Sequence, residues 1–273
     1  MSIARTEMRN PASMQMDKMN TADMARLVIT ANYDAVRAVD DAAESIALAV
    51  DAVAHAFGHG GRLFYIGAGT SGRLGVLDAA ECPPTFGVDY EQVQGIIAGG
   101  NDRMFKAGEN EEDKYENGYA AIVERGVTSG DVVVGISAAG NAAYVVGAIE
   151  SAKALGAVTV GLSCNPDTKI LRAADIAIFT DTGAEVLTGS TRLKAGTAQK
   201  IVLNTLTTCA MAKTGKVYEN MMINLAPSNE KLKRRVVRIV TEILSCDEAE
   251  AIARLEANEW NIRKSITADK ETI

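Results

Sequence analysis

Short apolar runs spaced along the middle of the chain limit what it can fold into. They fall at residues 63–66, 93–97, 132–136, 158–162 and 176–179, and each reads as a buried strand. The segments between them fit helices, notably 102–124 and 142–155. Strands alternating with helices argue for a parallel sheet covered on both faces. Its crossovers are expected to be right-handed.

The flanks read differently. Residues 1–20 are polar and Met-rich without a period, which predicts an extended arm. From 21 to 57 the spacing is helical, with Val28, Val36, Val39, Ala43, Ile46 and Val50 near one stripe. After residue 185 the strands stop. Helices are expected over 191–213 and 229–244, then two short ones from Asp247. Asp247 fits an N-cap, since Glu248 and Glu250 then occupy the positive first turn. The expected organisation is an arm with helices over 1–57, one α/β domain over 58–215 and a small helical tail over 216–273.

Composition narrows the function. Of 273 residues 47% are apolar, enough for a real core, and the net charge of −7 repels nucleic-acid phosphates. An anionic ligand must therefore be held by local groups working against the global field. The cysteines, Cys82, Cys164, Cys209 and Cys246, form no CxxC pair and read as reduced thiols of a cytoplasmic protein. His55 and His59 are the only histidines, which leaves a zinc site or a histidine triad poorly supplied. No metal is expected. The N-terminus carries no apolar signal core. Residues 132–149 are uncharged, but Gly135, Ser137, Gly140 and Asn141 break the run, so no membrane span is read there.

Two strand ends carry small polar loops, where open parallel sheets bind ligands. The first is Gly67-Ala68-Gly69-Thr70-Ser71-Gly72-Arg73. Its glycines admit a ligand close to the backbone, and a following helix would aim free N–H groups at an anion. Gly67, Gly69 and Gly72 match the spacing of a dinucleotide fingerprint, yet no acidic residue ends the next strand, and no GK[ST] marks a P-loop. The second loop is Ser137-Ala138-Ala139-Gly140-Asn141. From these residues alone each loop is either a phosphate cradle or a plain strand-to-helix turn.

Longer motifs decide more. Residues 66–87, from Ile66-Gly-Ala-Gly-Thr-Ser-Gly-Arg73 through Ala80-Glu81-Cys82-Pro83-Pro84, resemble the signature of the N-acetylmuramic acid 6-phosphate etherase family, whose members carry a sugar-isomerase-type (SIS) domain. Residues 6–13, 189–200 and 229–232 match in the same order, so the resemblance covers nearly the whole chain. It implies a three-layer α/β/α sandwich around a central parallel sheet of about five strands, with the helical arm and tail appended. It implies cleavage of a D-lactyl ether from a sugar phosphate in cell-wall sugar recycling, without metal or organic cofactor, by a homodimer in the cytoplasm.

The same resemblance implies catalytic roles for Glu81, as the acid that protonates departing lactate, and Glu112, as the base at C2. Glu112 lies in the acidic run Glu109-Asn-Glu-Glu-Asp113, where Glu111 is its rival and such runs are usually solvated faces. Thr70, Ser71, the backbones of Gly69, Gly72, Gly140 and Asn141, Arg73 and Ser137 would hold the phosphate. Ser190 and Lys194 would approach the sugar, or else serve as a helix cap and an exposed lysine. The basic group Lys231, Lys233, Arg234 and Arg235 reads as a solvated helix face, and Cys82 as a small buried residue. Asn141-Ala142-Ala143 departs from the Arg-Thr-Pro-like residues of the family, removing a hydroxyl and a positive charge. Two other functions share such loops: a non-catalytic sugar-phosphate sensor similar to the glucokinase regulatory protein, which needs neither glutamate, and an aldose–ketose isomerase, which needs no acid aimed at a C3 ether.

Overall fold

A computed structural model describes residues 3–108, 110–225, 227 and 229–267. The chain divides into two compact units, Met1–Ala80 with Glu91–Ala210, and Glu81–Tyr90 with Met211–Ile273.

The first unit is built on five parallel strands, β1 Leu63–Gly67, β2 Val93–Ile97, β3 Val132–Ile136, β4 Val158–Ser163 and β5 Ile176–Phe179, in the order β2-β1-β3-β4-β5. All five expected strands are present, two of them displaced at one end by a single residue. Every residue of β1 and β3 is buried. The order reverses between β1 and β3, and the loops that follow those two strands are the pair singled out above. A crevice at such a switch point is where open α/β sheets take ligands.

Helices α1 Thr21–Asp40, α2 Ala43–Gly58, α3 Gly69–Phe86, α4 Tyr115–Glu124, α5 Ala143–Ala154, α6 Lys169–Ala173 and α7 Lys194–Lys213 flank the strands. One face packs Phe64, Ile66 and Val133 against Ile122 of α4 and Tyr144, Val145, Ala148 and Ile149 of α5. On β1 the buried Tyr65 hydroxyl donates to Asp78 of α3 at 2.9 Å, and Asp78 also accepts from Asn204 and Thr207 of α7 at 2.6 and 3.3 Å. Burial pushes the Asp78 carboxyl above its ordinary value, against the pull of those hydrogen bonds. The network joins two helices through a strand without leaving the buried carboxyl unpaired.

Three expectations are corrected. The helix expected over 102–124 exists only from Tyr115; one 3-10 turn, Asn101–Met104, follows β2, and an irregular stretch separates the two. Gly108 and the left-handed Asn110 (φ 67°) interrupt helical spacing there. The helix expected over 21–57 breaks at Asp41 and Ala42. The arm is not extended: it makes three 3-10 turns, and the fully buried Thr6 is anchored by Asn165, which accepts from its N–H at 3.3 Å and donates to its hydroxyl at 3.0 Å.

The second unit contains a hairpin of β6 Val217–Tyr218 and β7 Met221–Met222, then α8 Glu230–Leu244, α9 Glu248–Ala257 and α10 Ile262–Thr267. The hairpin was not expected; two-residue strands are too short to show a period. Val236, Ile239 and Val240 of α8 pack with Leu255 of α9 and Ile262 of α10. Asn229 caps α8 and Asp247 caps α9, accepting from backbone N–H groups at 2.9 and 2.8 Å. Lys231, Lys233 and Arg234 are exposed or half-buried, as is Arg235. No helix among the described residues is long and apolar enough to cross a membrane.

The starts of β1 and β3 are fixed by one carboxylate. Asp131 accepts from the Arg62 backbone N–H and guanidinium at 2.8 Å each, and from the Thr128 N–H at 2.8 Å. Burial alone would raise its pKa, but these bonds outweigh it and hold the group below the usual carboxylate range. A depressed folded pKa contributes stability above the unfolded value, near 3.9, that is lost as pH falls through the folded value. Asp131→Asn is therefore expected to cost about 2 kcal/mol at neutral pH. In urea titrations repeated down the pH scale, the native protein's margin over the variant should shrink below about pH 4.

Candidate active site

The first loop delivers β1 straight into α3, which begins at Gly69. The free N–H groups of that first turn lie at the carboxyl edge of the sheet, a ready anion site. Gly72 allows this tight entry: a Cβ there would lie 2.6 Å from the Gly67 carbonyl oxygen and 2.8 Å from Ile97 Cγ1. Ser71 is buried and donates to Gln199 Oε1 at 3.0 Å, while Gln199 Nε2 is buried without a partner among the described residues. Thr70 is half-buried, and a Cβ on Gly196 would touch its methyl at 3.7 Å. The 189–200 block and the first loop are thus neighbours. Arg73 Nε donates to the Met104 carbonyl at 3.0 Å, tying α3 to the turn after β2.

In the second loop the side chains serve the loop itself. Ser137 Oγ accepts from the Gly140 N–H at 3.0 Å, and Asn141 Oδ1 accepts from the Lys169 N–H at 3.1 Å, capping α6. Gly140 has φ 72°, and a Cβ there would sit 2.4 Å from Ser163 Oγ. Ala142, at the start of α5, offers no side-chain cap. The Glu112 carbonyl takes the Tyr144 N–H instead, at 2.9 Å.

That bond holds the acidic segment beside the second loop. Glu111 is half-buried, and its carboxylate accepts from Lys114 Nζ at 3.0 and 3.1 Å. The Glu112 side chain is exposed, with no partner among the described residues. Glu109 lies outside them. Glu81 belongs to α3, in the part that opens the second unit, and is exposed; its neighbour Cys82 is buried.

Lys194 is not the exposed lysine that served as the alternative to a sugar contact. It is 2% exposed and pairs with Asp34 of α1 at 3.2 Å. It lines a cleft of about 630 Å³ against the arm, with Arg9, Arg37 and Asp181. Ser190 is half-buried in the turn before α7; its N–H bonds the Leu187 carbonyl at 2.9 Å.

Sequence reasoning missed Glu185. It is fully buried, and its carboxylate accepts from the N–H groups of Lys194 and Ala195 at 3.0 and 2.9 Å, so it caps α7 from a distance. A single carboxylate outside any motif gives no signal. Gln199 lay inside the quoted 189–200 block and carried one.

Residues 45–153 match the family described as the glucokinase regulatory protein N-terminal SIS domain, and residues 119–209 match the SIS domain family. The N-acetylmuramic acid 6-phosphate etherase of Pasteurella multocida is 50% identical over 246 residues, 90% of this chain and 82% of that protein. The protein of that name from Clostridioides difficile is 52% identical over 86% of this chain and 77% of its own length. The one from Oenococcus oeni is 46% identical over 97% and 90%. The chain belongs to the N-acetylmuramic acid 6-phosphate etherase family. Among solved structures, the protein c3406 of E. coli CFT073 matches with a TM-score of 0.51 at 17% identity, over 71% of this chain and 93% of that one. At that identity the match shows the SIS fold alone.

For this etherase-family chain the Glu185 cap gives a direct test. Glu185→Ala strips two backbone donors of a charged acceptor and is expected to cost about 1–3 kcal/mol. Glu185→Gln, which keeps an acceptor oxygen, should recover part of it. Denaturant midpoints at constant m-value check both.

Proposed function

We propose that this chain cleaves the D-lactyl ether of N-acetylmuramic acid 6-phosphate, a carbon–oxygen lyase reaction giving N-acetylglucosamine 6-phosphate and D-lactate, with Glu112 as base and Glu81 as acid. The observation that carries the activity is 50% identity to a named etherase along 90% of the chain. An ether oxygen leaves poorly unless protonated. In the open-chain sugar the C1 aldehyde acidifies the C2 proton. The Glu112 carboxylate removes it, the electron pair forms the C2–C3 double bond, and the C3–O bond breaks. The Glu81 carboxyl gives its proton to the departing lactate oxygen. Water then adds at C3 and a proton returns to C2, so the sum is hydrolysis. The two steps ask for two carboxyls in opposite protonation states.

Of the acidic pair, Glu112 has the freer carboxylate, since Glu111 is held by Lys114. The phosphate fits the first turn of α3, with Thr70, Ser71 and Arg73, and the loop of Ser137, Gly140 and Asn141 beside it. Ser190 and Lys194 complete the sugar side, Lys194 by exchanging its Asp34 contact. Cell-wall sugar recycling is the metabolic setting we assign.

We also propose a homodimer in the cytoplasm. Four free thiols suit a reducing compartment. For the dimer, α1 exposes Ile29, Tyr33 and Val36 at 66%, 60% and 53%. Exposed Arg26 and Asp40 flank them. An antiparallel copy about a two-fold axis at Tyr33 stacks Ile29 on Val36 and brings Arg26 of each copy to Asp40 of the other, a self-complementary arrangement. Tyr33→Asp should convert a sedimenting dimer to monomer; a native monomer would end this reading.

The activity test is D-lactate release from N-acetylmuramic acid 6-phosphate. Glu81→Gln and Glu112→Gln should each lower kcat by about 100- to 10,000-fold, and Glu111→Gln should stay near native. Native protein that binds the sugar phosphate but frees no lactate would refute the lyase reading.

A further inference from the structure

Arg103 stands out among the charged groups near the proposed site. It lies in the 3-10 turn Asn101–Met104, directly after β2 and so at the carboxyl edge of the sheet. The residue is half-buried, and its Nε is buried with no hydrogen-bond partner among the described residues. Among those residues no ion pair reaches its guanidinium. A buried donor left unmade is costly, more so on a charged group, and native structures rarely keep one without a use.

Its placement is held on several sides. A Cβ on Gly108 would lie 2.6 Å from Arg103 Nε and 2.8 Å from Cζ, so the guanidinium stem lies flat against that glycine. A Cβ on Gly99 would meet Arg103 Cγ at 2.9 Å and Glu111 Cγ at 2.8 Å, which sets Arg103 beside the segment that carries Glu112. The Arg73 bond to the Met104 carbonyl fastens the same turn to the first turns of α3. The charged groups of this neighbourhood are Arg73, Asp102, Lys106, Glu111, Glu112 and Lys114. Arg73 and Lys114 are engaged, by Met104 and Glu111. Lys106 is exposed at the surface.

We propose that Arg103 binds the lactyl carboxylate of the substrate and so selects sugar phosphates that carry an acidic ether on C3. The inference rests on the etherase reading above. The substrate has two anions. The phosphate has the α3 helix start and its hydroxyl side chains. The carboxylate hangs from C3, next to the carbon whose proton Glu112 removes, and the second loop, with Asn141-Ala142-Ala143, offers it no cation. A guanidinium meets a carboxylate through two parallel hydrogen bonds, a geometry lysine cannot copy. A contact made equally in the bound substrate and the transition state affects KM more than kcat.

The experiment measures binding by calorimetry in the Glu112→Gln background, so that substrate is not consumed. N-acetylmuramic acid 6-phosphate is compared with N-acetylglucosamine 6-phosphate, which lacks the lactyl group. Arg103→Ala is expected to weaken the first by about tenfold or more and leave the second unchanged. Arg103→Lys, the variant least able to disturb folding, should recover only part of the loss. In the otherwise native enzyme the same substitutions should raise KM with kcat nearly held. Equal weakening of both ligands would overturn the proposal in favour of a phosphate contact or a structural role; no weakening of either would remove Arg103 from the site. Absence of D-lactate release by native protein would defeat the etherase reading separately, because the two binding constants still report on Arg103.

Discussion

The parallel pairing of β1 with β3 is the constraint on which the rest depends. Leu63 faces Val132 and Gly67 faces Ile136, so the two strands end level and their loops leave the sheet side by side. The Arg62–Asp131 pair fixes the opposite end of the same two strands. Because β2 lies beyond β1 and β4 beyond β3, the following helices diverge to opposite faces and leave a crevice between their starts. A one-residue slip would turn every strand side chain to the opposite face, taking the Tyr65 hydroxyl from Asp78 and Phe64 and Ile66 from their contacts with α4 and α5, so the side-chain fit on the two faces enforces the register that aligns the loops.

Charge placement follows from that crevice. The chain carries a net −7 yet is proposed to hold a sugar bearing a phosphate and a carboxylate. Long-range attraction cannot serve it; short-range donors must. Several cations are already committed within the protein: Arg62 is matched by Asp131, Lys153 by Asp175 and Lys194 by Asp34. Glu185 shows the converse, an acidic group placed at the positive start of α7 where the dipole welcomes it. Arg103 fits neither pattern: its buried Nε has no partner among the described residues, and the proposed carboxylate contact would supply one.

How much of this was legible in the sequence depended on burial. Strands 93–97, 132–136 and 176–179 were readable to the residue: the internal 132–136 because both its faces are packed, and the two edge strands because their short runs are bounded by polar residues or, past Ala98, by glycine. The segment between β2 and α4 was misread as helix because its apolar residues are few and its breakers, Gly108 and Asn110, act through backbone geometry. The arm was misread because a single buried threonine anchors it through Asn165, a residue far away in sequence. Glu185 and Arg103 had no sequence signal, since capping at a distance and clamping between glycines are tertiary facts.

The proposed catalytic pair shows the same division more sharply. The resemblance put Glu81 in a long motif, but Glu112 in a run of acids where composition cannot separate neighbours. Physical chemistry separates them: Glu111 is folded back on Lys114 and against Gly99, whereas Glu112 contributes its carbonyl to the start of α5 and leaves its carboxylate outward. Ala142 has no side-chain oxygen to cap α5, and the Glu112 carbonyl takes the Tyr144 N–H there. That bond holds the acidic segment against the second loop, so the exposed Glu112 carboxylate stands beside the loop proposed to take the ligand.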